Sequence, residues 1–171
     1  MTIYEPTSLT ITYTKQYLVT VSSIFGSSQS WINAGGQITP NATSQVVNGV
    51  LFTPMGMNVN GQAKPIGSLT VNEPLSVAIN YEASANVNTV SWGLPALYAT
   101  ATMKCGSAMT TTSGSFISTL TLSITNPPTN QCTITETTIP LTPLIIVVIV
   151  IIIIVVLIIT RRGRRTASSL S

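Results

Sequence analysis

Apolar and polar residues alternate with a period of two along much of the chain, as they do in β-strands that bury one face. The alternation is present at Leu9–Tyr13, Tyr17–Val21 and Leu75–Tyr81, and it is clearest over Phe116–Ile124. In that last segment the face predicted to be buried carries Phe116, Leu120, Leu122 and Ile124. Before residue 140 no segment shows a helical period. The pattern therefore predicts an all-β body with Thr-rich outer faces.

Short clusters of turn-forming residues separate the predicted strands. They contain Gly, Asn, Ser and Pro, and they stand at Phe25–Ser28, Ala34–Gly36, Asn48–Gly49, Asn60–Gly61 and Asn126–Pro128. Two of them are Asn-Gly pairs, the strongest short-range signal for a β-hairpin.

An unbroken apolar run of 16 residues, Leu144–Ile159, follows the predicted β-body. The wider segment Leu141–Thr160 would span about 30 Å as a helix, the thickness of a hydrocarbon core. Pro143 stands in the first turn, where a proline is tolerated. A buried core strand or helix of this length would contain polar breaks, so we predict a transmembrane helix over residues 144–160.

Positive charge is concentrated directly behind this run, at Arg161, Arg162, Arg164 and Arg165. The three Lys and four Glu that precede these arginines leave the body at −1, so the tail sets the pI of 9.1. A nearly neutral body does not attract a polyanion, and we expect no nucleic-acid partner. The arginines are typical of a stop-transfer signal, which places the C-terminus in the cytoplasm or virion interior and the body outside.

Alternatives stay open at both ends of the chain. Arg164–Ser168 resembles a basic kinase site and could serve phosphorylation or lipid binding. Met1–Pro6 lacks the basic and apolar segments of a signal peptide, so we expect a fragment, a renumbered mature form or a misplaced start. A cytosolic tail-anchored adaptor needs no signal peptide, but it would put four Arg on the unexpected side of the membrane.

The composition excludes most catalytic and metal sites. The chain has no His and no Asp, which rules out Ser-His-Asp triads, aspartic dyads and His-ligated metals. Only four Glu remain, and Glu73 and Glu82 flank a single predicted strand rather than forming the carboxylate pair of a glycosidase. Glycine-rich phosphate loops are absent as well. We therefore expect no catalytic activity, no cofactor, no metal and no small-molecule substrate.

Three other features are candidate sites. Cys105 and Cys132 are the only cysteines, and such a pair in an exported body predicts a disulfide worth about 3.5 kcal/mol, with two free buried thiols as the alternative. Asn41-Ala-Thr43 is a sequon for N-glycosylation. We expect three aromatic residues, Tyr17, Trp31 and Trp92, to be buried in the core. The alternative is that they form an exposed contact patch for a carbohydrate or a protein.

Several motifs follow one another in order: Lys15-Gln-Tyr-Leu-Val-Thr-Val21, Trp31-Ile-Asn-Ala-Gly-Gly36, Asn48-Gly-Val-Leu-Phe52, Asn58-Val-Asn-Gly61, Leu69-Thr-Val71, Pro74-Leu-Ser-Val77 and Tyr81. This order resembles a repeat of large surface and secreted proteins of thermoacidophilic archaea and some of their viruses, which is similar in layout to internalin B repeats. The chain departs from that family at Phe52-Thr-Pro-Met-Gly-Met57, where members carry Phe-x-Gly-Trp. The resemblance covers Lys15–Glu82 and implies a surface module rather than an activity.

The predicted fold has two small β-sandwich-like modules and one C-terminal transmembrane helix. Its parts are the end of a preceding strand or repeat (1–14), the β repeat module (15–82), a second β module with the disulfide (83–132), a Thr/Pro stem (133–143), the helix (144–160) and a basic tail (161–171). We expect a single-pass glycoprotein of a cell surface or virion envelope, with a structural or adhesive role. The expected partners are the lipid bilayer and a surface lattice, such as an S-layer, or a host protein or glycan. The alternatives are the C-terminal anchor of a larger surface enzyme, such as an acid protease, and the tail-anchored adaptor.

Overall fold

A computed structural model describes residues 10–167, the segment 161–167 as helical backbone only. The protein is mostly β and ends in one apolar helix of membrane-spanning length, which confirms the predicted fold class at this level. The chain forms two compact units. The N-terminal unit comprises residues up to 47, 51–83 and 125–130, and the C-terminal unit comprises 48–50, 84–124 and the residues from 131 onward. Each predicted module was one continuous stretch of the chain, whereas each of these units is assembled from three separate stretches.

Eight strands begin in or pass through the N-terminal unit. They are β1 (Gln16–Ser23), β2 (Gly26–Asn33), β3 (Gly36–Ile38), β4 (Gln45–Val47), β5 (Val50–Val59), β6 (Gln62–Lys64), β7 (Leu69–Val71) and β8 (Leu75–Asn88). The main sheet has the order β2-β1-β8-β5-β4, and β6 pairs with β5. Strands β1 and β2 form an antiparallel hairpin, β1 and β8 run parallel, and β3 pairs with β7 in a separate sheet.

The core of the N-terminal unit comes in part from the alternating apolar residues of Tyr17–Val21 and Leu75–Tyr81 that the sequence pattern identifies. In the parallel ladder Val19 stands beside Leu75 and Val21 beside Val77, so one face of β1 and β8 is continuous and apolar. The buried cluster on this face contains Val19, Met57, Val59, Leu69, Val71, Leu75 and Val77. Nearby, the ring of Phe25 meets Phe52 and Tyr81 edge-on, at centroid distances of 5.5 and 5.2 Å. Each such aromatic contact contributes about 0.5–1.5 kcal/mol beyond area burial.

The two predicted Asn-Gly hairpin turns are confirmed. Asn48 and Gly49 have φ angles of 51° and 78°, and Asn60 and Gly61 have 51° and 84°. Paired positive φ angles define the type I′ turn, whose twist matches that of the strands it joins. These turns connect β4 to β5 and β5 to β6.

The C-terminal unit holds the remaining strands and the helix. They are β9 (Ala96–Cys105), β10 (Ala108–Ile117), β11 (Thr119–Thr125), β12 (Cys132–Pro140) and α1 (Thr142–Ala167). Strands β10, β9 and β12 form an antiparallel three-stranded sheet in that order, and β11 pairs with β8. The buried side chains of this unit include Val87, Ala99, Ala101, Met103, Leu120 and Leu122. Thr89 is buried among them, and its hydroxyl donates to the carbonyl of Ile117 at 2.6 Å.

Two strand predictions are wrong in part. A strand was expected at residues 9–13, but residues 10–15 form no strand, and Ile11 and Tyr13 are exposed. Leu9 lies outside the described residues. A strand needs a neighbour for its backbone hydrogen bonds, and two apolar side chains bury too little area to hold one there. The segment predicted as one strand at 116–124 is broken at Ser118 between β10 and β11. Phe116 has a φ of 52°, which takes it out of the alternation and leaves it exposed.

The predicted Thr/Pro stem is also wrong, because most of it is strand β12. Thr133 stands opposite Lys104, and the pairing with β9 continues to Pro140 opposite Ala96. Thr and Ile favour strands, so a Thr-rich segment beside an available edge pairs with it instead of staying free. Only Leu141 separates the end of β12 from the start of α1.

Helix α1 confirms a helix of membrane-spanning length and begins two residues before the predicted start. The apolar part, Thr142–Thr160, has 19 residues and a mean hydropathy of 3.7, and none of it is buried in the protein. At 1.5 Å per residue it is about 29 Å long, close to the thickness of a hydrocarbon core. Pro143 lies in the first turn, as predicted.

Candidate functional site

The predicted disulfide between Cys105 and Cys132 is present. The two residues are Cα partners at the ends of β9 and β12, with their Cα atoms 4.2 Å apart and their sulfur atoms bonded. Both cysteines are buried, and they stand at the end of the three-stranded sheet opposite to the helix. The bond therefore fixes the register in which β12 leaves the sheet toward α1.

Both tryptophans are exposed, so the favoured core position is wrong for Trp31 and Trp92. Trp31 is 65% exposed on β2, and Trp92 is 90% exposed in the turn before β9. Tyr17, in contrast, is half-buried and packs against the apolar core of the N-terminal unit. The sequence gives no periodic signal at the tryptophans, because Trp31 lies in a Ser-rich strand and Trp92 lies outside any alternating segment.

The register of the β1–β2 hairpin puts Tyr17 and Trp31 on opposite faces. Tyr17 pairs with Ile32, whereas Trp31 pairs with Leu18, and neighbouring positions along a strand point to opposite sides. Trp31 therefore shares the outer face with Leu18, on the edge strand β2. The alternative contact patch cannot combine Tyr17 with Trp31, since Tyr17 turns inward onto the core while Trp31 lies on the outer face.

Trp92 occupies a tight turn that usually carries Asn or Gly. Trp92 and Gly93 have φ angles of 54° and 75°, and Ser91 and Leu94 exchange both backbone hydrogen bonds at 2.9 and 3.0 Å. A bulky side chain at a positive φ is an outlier whose strain costs on the order of 1–3 kcal/mol. A conformation of this kind persists where the surrounding structure enforces it, and it is concentrated at functional sites.

The outer face of the three-stranded sheet consists mainly of hydroxyl groups. Thr102 and Thr111 share a hydrogen bond of 3.0 Å between their hydroxyls, and Thr135 is the partner of Thr102 on β12. Tyr98 lies farther along the same face of β9, toward the helix. Hydrogen bonds from Ser113 and Thr100 lower the pKa of its phenol. This face offers mainly hydroxyl donors and acceptors, and Lys104, at its disulfide end, is the one charged residue of β9.

Asn41 of the sequon lies in the loop between β3 and β4, and its side chain is exposed. It lines an open cleft of about 420 Å³ together with Pro40, Thr43, Phe25 and Tyr81. The Tyr81 hydroxyl donates to the Thr43 carbonyl at 3.4 Å, which ties the loop to β8. A glycan on Asn41 would project from this loop, since the asparagine is accessible and its loop is held in place.

A second cleft, of about 650 Å³, opens beside β6 and β7 of the N-terminal unit and is lined by Lys64, Glu73 and Asn60 among others. The Asn60 side chain is fully used there. It accepts from the Ser76 amide at 2.8 Å and donates to the Pro74 carbonyl at 3.2 Å and to Glu73 at 3.4 Å. These contacts close the turn onto the start of β8, so Asn60 has a structural role in this cleft.

Glu73 and Glu82 do not form a catalytic pair. Strand β8 is extended between Leu75 and Glu82, which puts Glu82 about 23 Å from the end beside Glu73. Glycosidase carboxylates stand about 5–9.5 Å apart. Glu136 is exposed on β12, and Glu5 lies outside the described residues. Among residues 10–167, no three His, Cys, Asp or Glu side chains come together as metal ligands do.

The side chains of the predicted stop-transfer cluster, Arg161, Arg162, Arg164 and Arg165, lie outside the described residues, as does Ser168 of the kinase-like sequence. The backbone continues as helix through this segment to Ala167. The arginines are therefore an extension of α1 by almost two turns beyond its apolar part.

Comparison with known proteins finds no match: no family model fits the chain, and no curated protein and no solved structure is similar to it. The resemblance to archaeal surface repeats stays a prediction from the order of the motifs. Two features of the C-terminal unit escaped that prediction, the strained turn at Trp92 and the exposed Phe116. The one sequence signal for the turn at Trp92 is the pair Trp92-Gly93, in which Trp stands where an Asn-Gly turn has Asn.

Proposed function

We propose that the protein is a single-pass, membrane-anchored surface protein with a structural or adhesive role and without catalytic activity. The observation that carries this proposal is α1, whose membrane-spanning part of 19 residues is unburied although it follows a folded β-body after a single linking residue. Its exposed Ile, Val and Leu side chains are strongly unfavourable in water and favourable in hydrocarbon. A bilayer is the environment that this segment requires.

The properties of the β-body support a structural role. Its outer faces carry Thr and Ser hydroxyls and few charges, and the extended strand β8 keeps Glu73 and Glu82 apart. The disulfide belongs to an oxidising compartment, which favours a body outside the cytoplasm and a tail inside. The exposed sequon at Asn41 and the exposed Trp31 provide a glycan site and an aromatic contact for a surface lattice, a host protein or a glycan.

We also propose a fold for each of the two units and a biological setting for the protein. We assign each unit to a β-sandwich-like module, supported by the apolar faces of β1 and β8 in one unit and of β9 and β11 in the other. The motif order over Lys15–Glu82 suggests a cell envelope or virion of a thermoacidophilic archaeon as the setting. Because residues 133–140 belong to strand β12 and do not form a free stem, no spacer separates the C-terminal unit from α1. The C-terminal unit then stands directly on the membrane.

The anchor is tested by extracting membranes that contain the full chain with alkaline carbonate. The wild type is expected to stay in the membrane pellet. The double variant Val150→Arg/Ile154→Arg is expected to be extracted, because each arginine at the helix centre costs about 2.5–3.5 kcal/mol of insertion free energy. The matched control Val150→Leu/Ile154→Leu should behave as the wild type. Extraction of the wild type would refute membrane anchoring.

The orientation and role are tested on intact cells that display the chain. External protease should remove the β-body and leave the basic tail protected, and a protected body would refute the outward topology. Purification in mild detergent should recover the protein with neighbouring surface proteins. A lone monomer with a hydrolytic activity lost on Glu73→Gln or Glu82→Gln would refute the non-catalytic role.

A further inference from the structure

Five residues other than glycine have positive φ angles among residues 10–167, and two of them are aromatic. Three are Asn48, Asn60 and Asn126, and asparagine tolerates this conformation. The other two are Trp92 and Phe116, with φ angles of 54° and 52°. Large aromatic side chains are unfavourable there, so the C-terminal unit holds both residues in a strained conformation.

Both strained aromatic residues are also exposed, Trp92 by 90% and Phe116 by 66%. Exposure of a large aromatic ring to water gives up the burial that such a ring normally gains on folding. The two residues therefore carry a backbone cost, and residues 10–167 bury only the smaller part of each ring. The burial that such rings normally gain then has to come from outside the described residues.

The register of the three-stranded sheet places both residues at one end of the C-terminal unit. Ala96 begins β9 and pairs with Ile117 on one side and with Pro140 on the other. Phe116 directly precedes Ile117, and Trp92 lies four residues before Ala96, within about 14 Å along the chain. This end of the sheet also exposes Tyr98 and Ile139, which are Cα partners. We call Trp92, Tyr98, Phe116 and Ile139 the helix-proximal rim.

The helix-proximal rim lies where the chain enters α1. Pro140 ends β12 and Thr142 begins the helix, so the two Cα atoms are at most about 7 Å apart. The apolar part of α1, Thr142–Thr160, has about the length of a hydrocarbon core, so a membrane-spanning α1 leaves no spare residue before Thr142. Thr142 must then lie at the boundary of the bilayer, and the rim lies within reach of the headgroups.

The chemistry of the rim matches the interfacial layer of a membrane. Trp and Tyr favour this layer because one part of the ring is apolar while the indole N–H or phenol O–H stays hydrated. No charged residue occurs between Ser84 and Met103 or between Gly106 and Thr135. The opposite end of the sheet differs, since it carries Lys104 and its partner Met109 beside the disulfide. The exposed aromatic side chains of the C-terminal unit, Trp92, Tyr98 and Phe116, are thus gathered at the end beside the helix.

We propose that the helix-proximal rim rests in the headgroup layer of the same bilayer that α1 crosses, with Trp92 and Phe116 as its interfacial anchors. This inference rests on the proposed membrane anchoring and adds a second contact with lipid. The contact supplies the environment that the strained, exposed rings lack in water. It also fixes the orientation of the C-terminal unit, which stands end-on with the Lys104 end of the sheet pointing away from the membrane.

The experiment measures Trp fluorescence of the full chain reconstituted in phosphatidylcholine vesicles with and without brominated acyl chains. The variant Trp31→Phe leaves Trp92 as the single reporter and does not alter the rim. The matched control, Trp31→Phe/Trp92→Phe/Met109→Trp, moves the single Trp to an exposed position at the opposite end of the same sheet. Strand β9 separates the two ends by about 27 Å. Alkaline carbonate extraction of each preparation reports separately whether α1 is inserted.

We expect brominated lipid to reduce the emission of Trp92 and the emission maximum to be blue-shifted relative to the control. The emission of the relocated tryptophan in the control should be insensitive to brominated lipid and quenched by aqueous iodide. If α1 is inserted but brominated lipid does not affect Trp92, the rim contact is refuted and the anchoring is not. This holds both when iodide quenches Trp92 and when a protein shields the ring from iodide. Equal quenching of both reporters overturns the end-on orientation. A chain that carbonate extracts overturns the anchoring and the rim contact together.

Discussion

Cys105 and Cys132 face each other across the antiparallel strands β9 and β12, and their disulfide closes the three-stranded sheet at the end opposite to α1. Strand β12 then runs the length of β9 and enters α1 after Leu141. The last strand of the body and the helix are therefore one nearly continuous segment.

Loss of the disulfide is expected to destabilise the C-terminal unit by about 3.5 kcal/mol, because the bond closes a loop with a sequence separation of 27 residues. Thermal unfolding of the wild type in detergent should shift downward when a reductant is added. The variant Cys105→Ala/Cys132→Ala should already be shifted and should not respond to reductant. A wild type with the same unfolding transition in both conditions would contradict a stabilising bond.

The assignment of residues 133–139 to a strand predicts a specific pattern of amide hydrogen exchange. Strand β12 lies at the edge of its sheet, so only every second amide points toward β9 and is hydrogen-bonded. We expect slow exchange at alternate residues and fast exchange between them. Residues 10–15, which form no strand, are the internal control and should exchange fast throughout. Uniformly fast exchange over 133–139 would restore the free stem.

Much of the fold follows from local pattern. The alternation at Tyr17–Val21 and Leu75–Tyr81, the Asn-Gly turns and the apolar run after Pro143 are all used as the sequence indicates. Each of these signals is local, because a strand face, a type I′ turn and a membrane-spanning helix are specified by neighbouring residues. The pairing of the two cysteines could be predicted because no other cysteine competes.

The errors arise where the structure depends on distant partners. The segment Thr133–Pro140 has the Thr and Pro content of a linker, and only the exposed edge of β9 makes it a strand. Residues 10–15 have an alternating pattern but find no partner. At Trp92 and Phe116 a locally unfavourable backbone is imposed by the surrounding fold. Conflicts of this kind between local preference and observed conformation are expected at functional sites.

The two Asn-Gly turns should respond differently to the same substitution. Asn60→Gly keeps the positive φ but removes the side-chain bonds to Ser76 and Pro74, so we expect a loss of about 1–3 kcal/mol in the free energy of unfolding. Asn48→Gly is the matched control, because Asn48 has the same φ of 51° in the same kind of Asn-Gly turn. It should change stability by no more than a few tenths of a kcal/mol. Denaturant unfolding of both variants provides the comparison, and equal losses would contradict the side-chain role of Asn60.

Tyr81 predicts how stability depends on alkaline pH. Its side chain is buried, with a relative exposure of 3%, and burial raises the pKa of the phenol above the ordinary value of about 10. A group whose pKa is raised in the folded state holds its proton longer there than in the unfolded chain. The stability that the neutral phenol contributes is therefore complete below about pH 10 and is lost as the pH rises from there through the folded-state pKa.

The variant Tyr81→Phe should remove this alkaline loss. At neutral pH it should cost about 0.5–1.5 kcal/mol, because the hydrogen bond from the hydroxyl to the Thr43 carbonyl disappears. As the pH rises above about 10, its unfolding free energy should fall less steeply than that of the wild type, since phenylalanine does not titrate. Tyr98→Phe is the matched control. Hydrogen bonds lower the pKa of the Tyr98 phenol, which is opposite to the direction at Tyr81. Because Tyr98 is exposed to solvent, its contribution to the pH dependence of stability is weakened. Its profile should be as steep as that of the wild type or slightly steeper, so a flattening by Tyr98→Phe rather than by Tyr81→Phe would contradict the assignment.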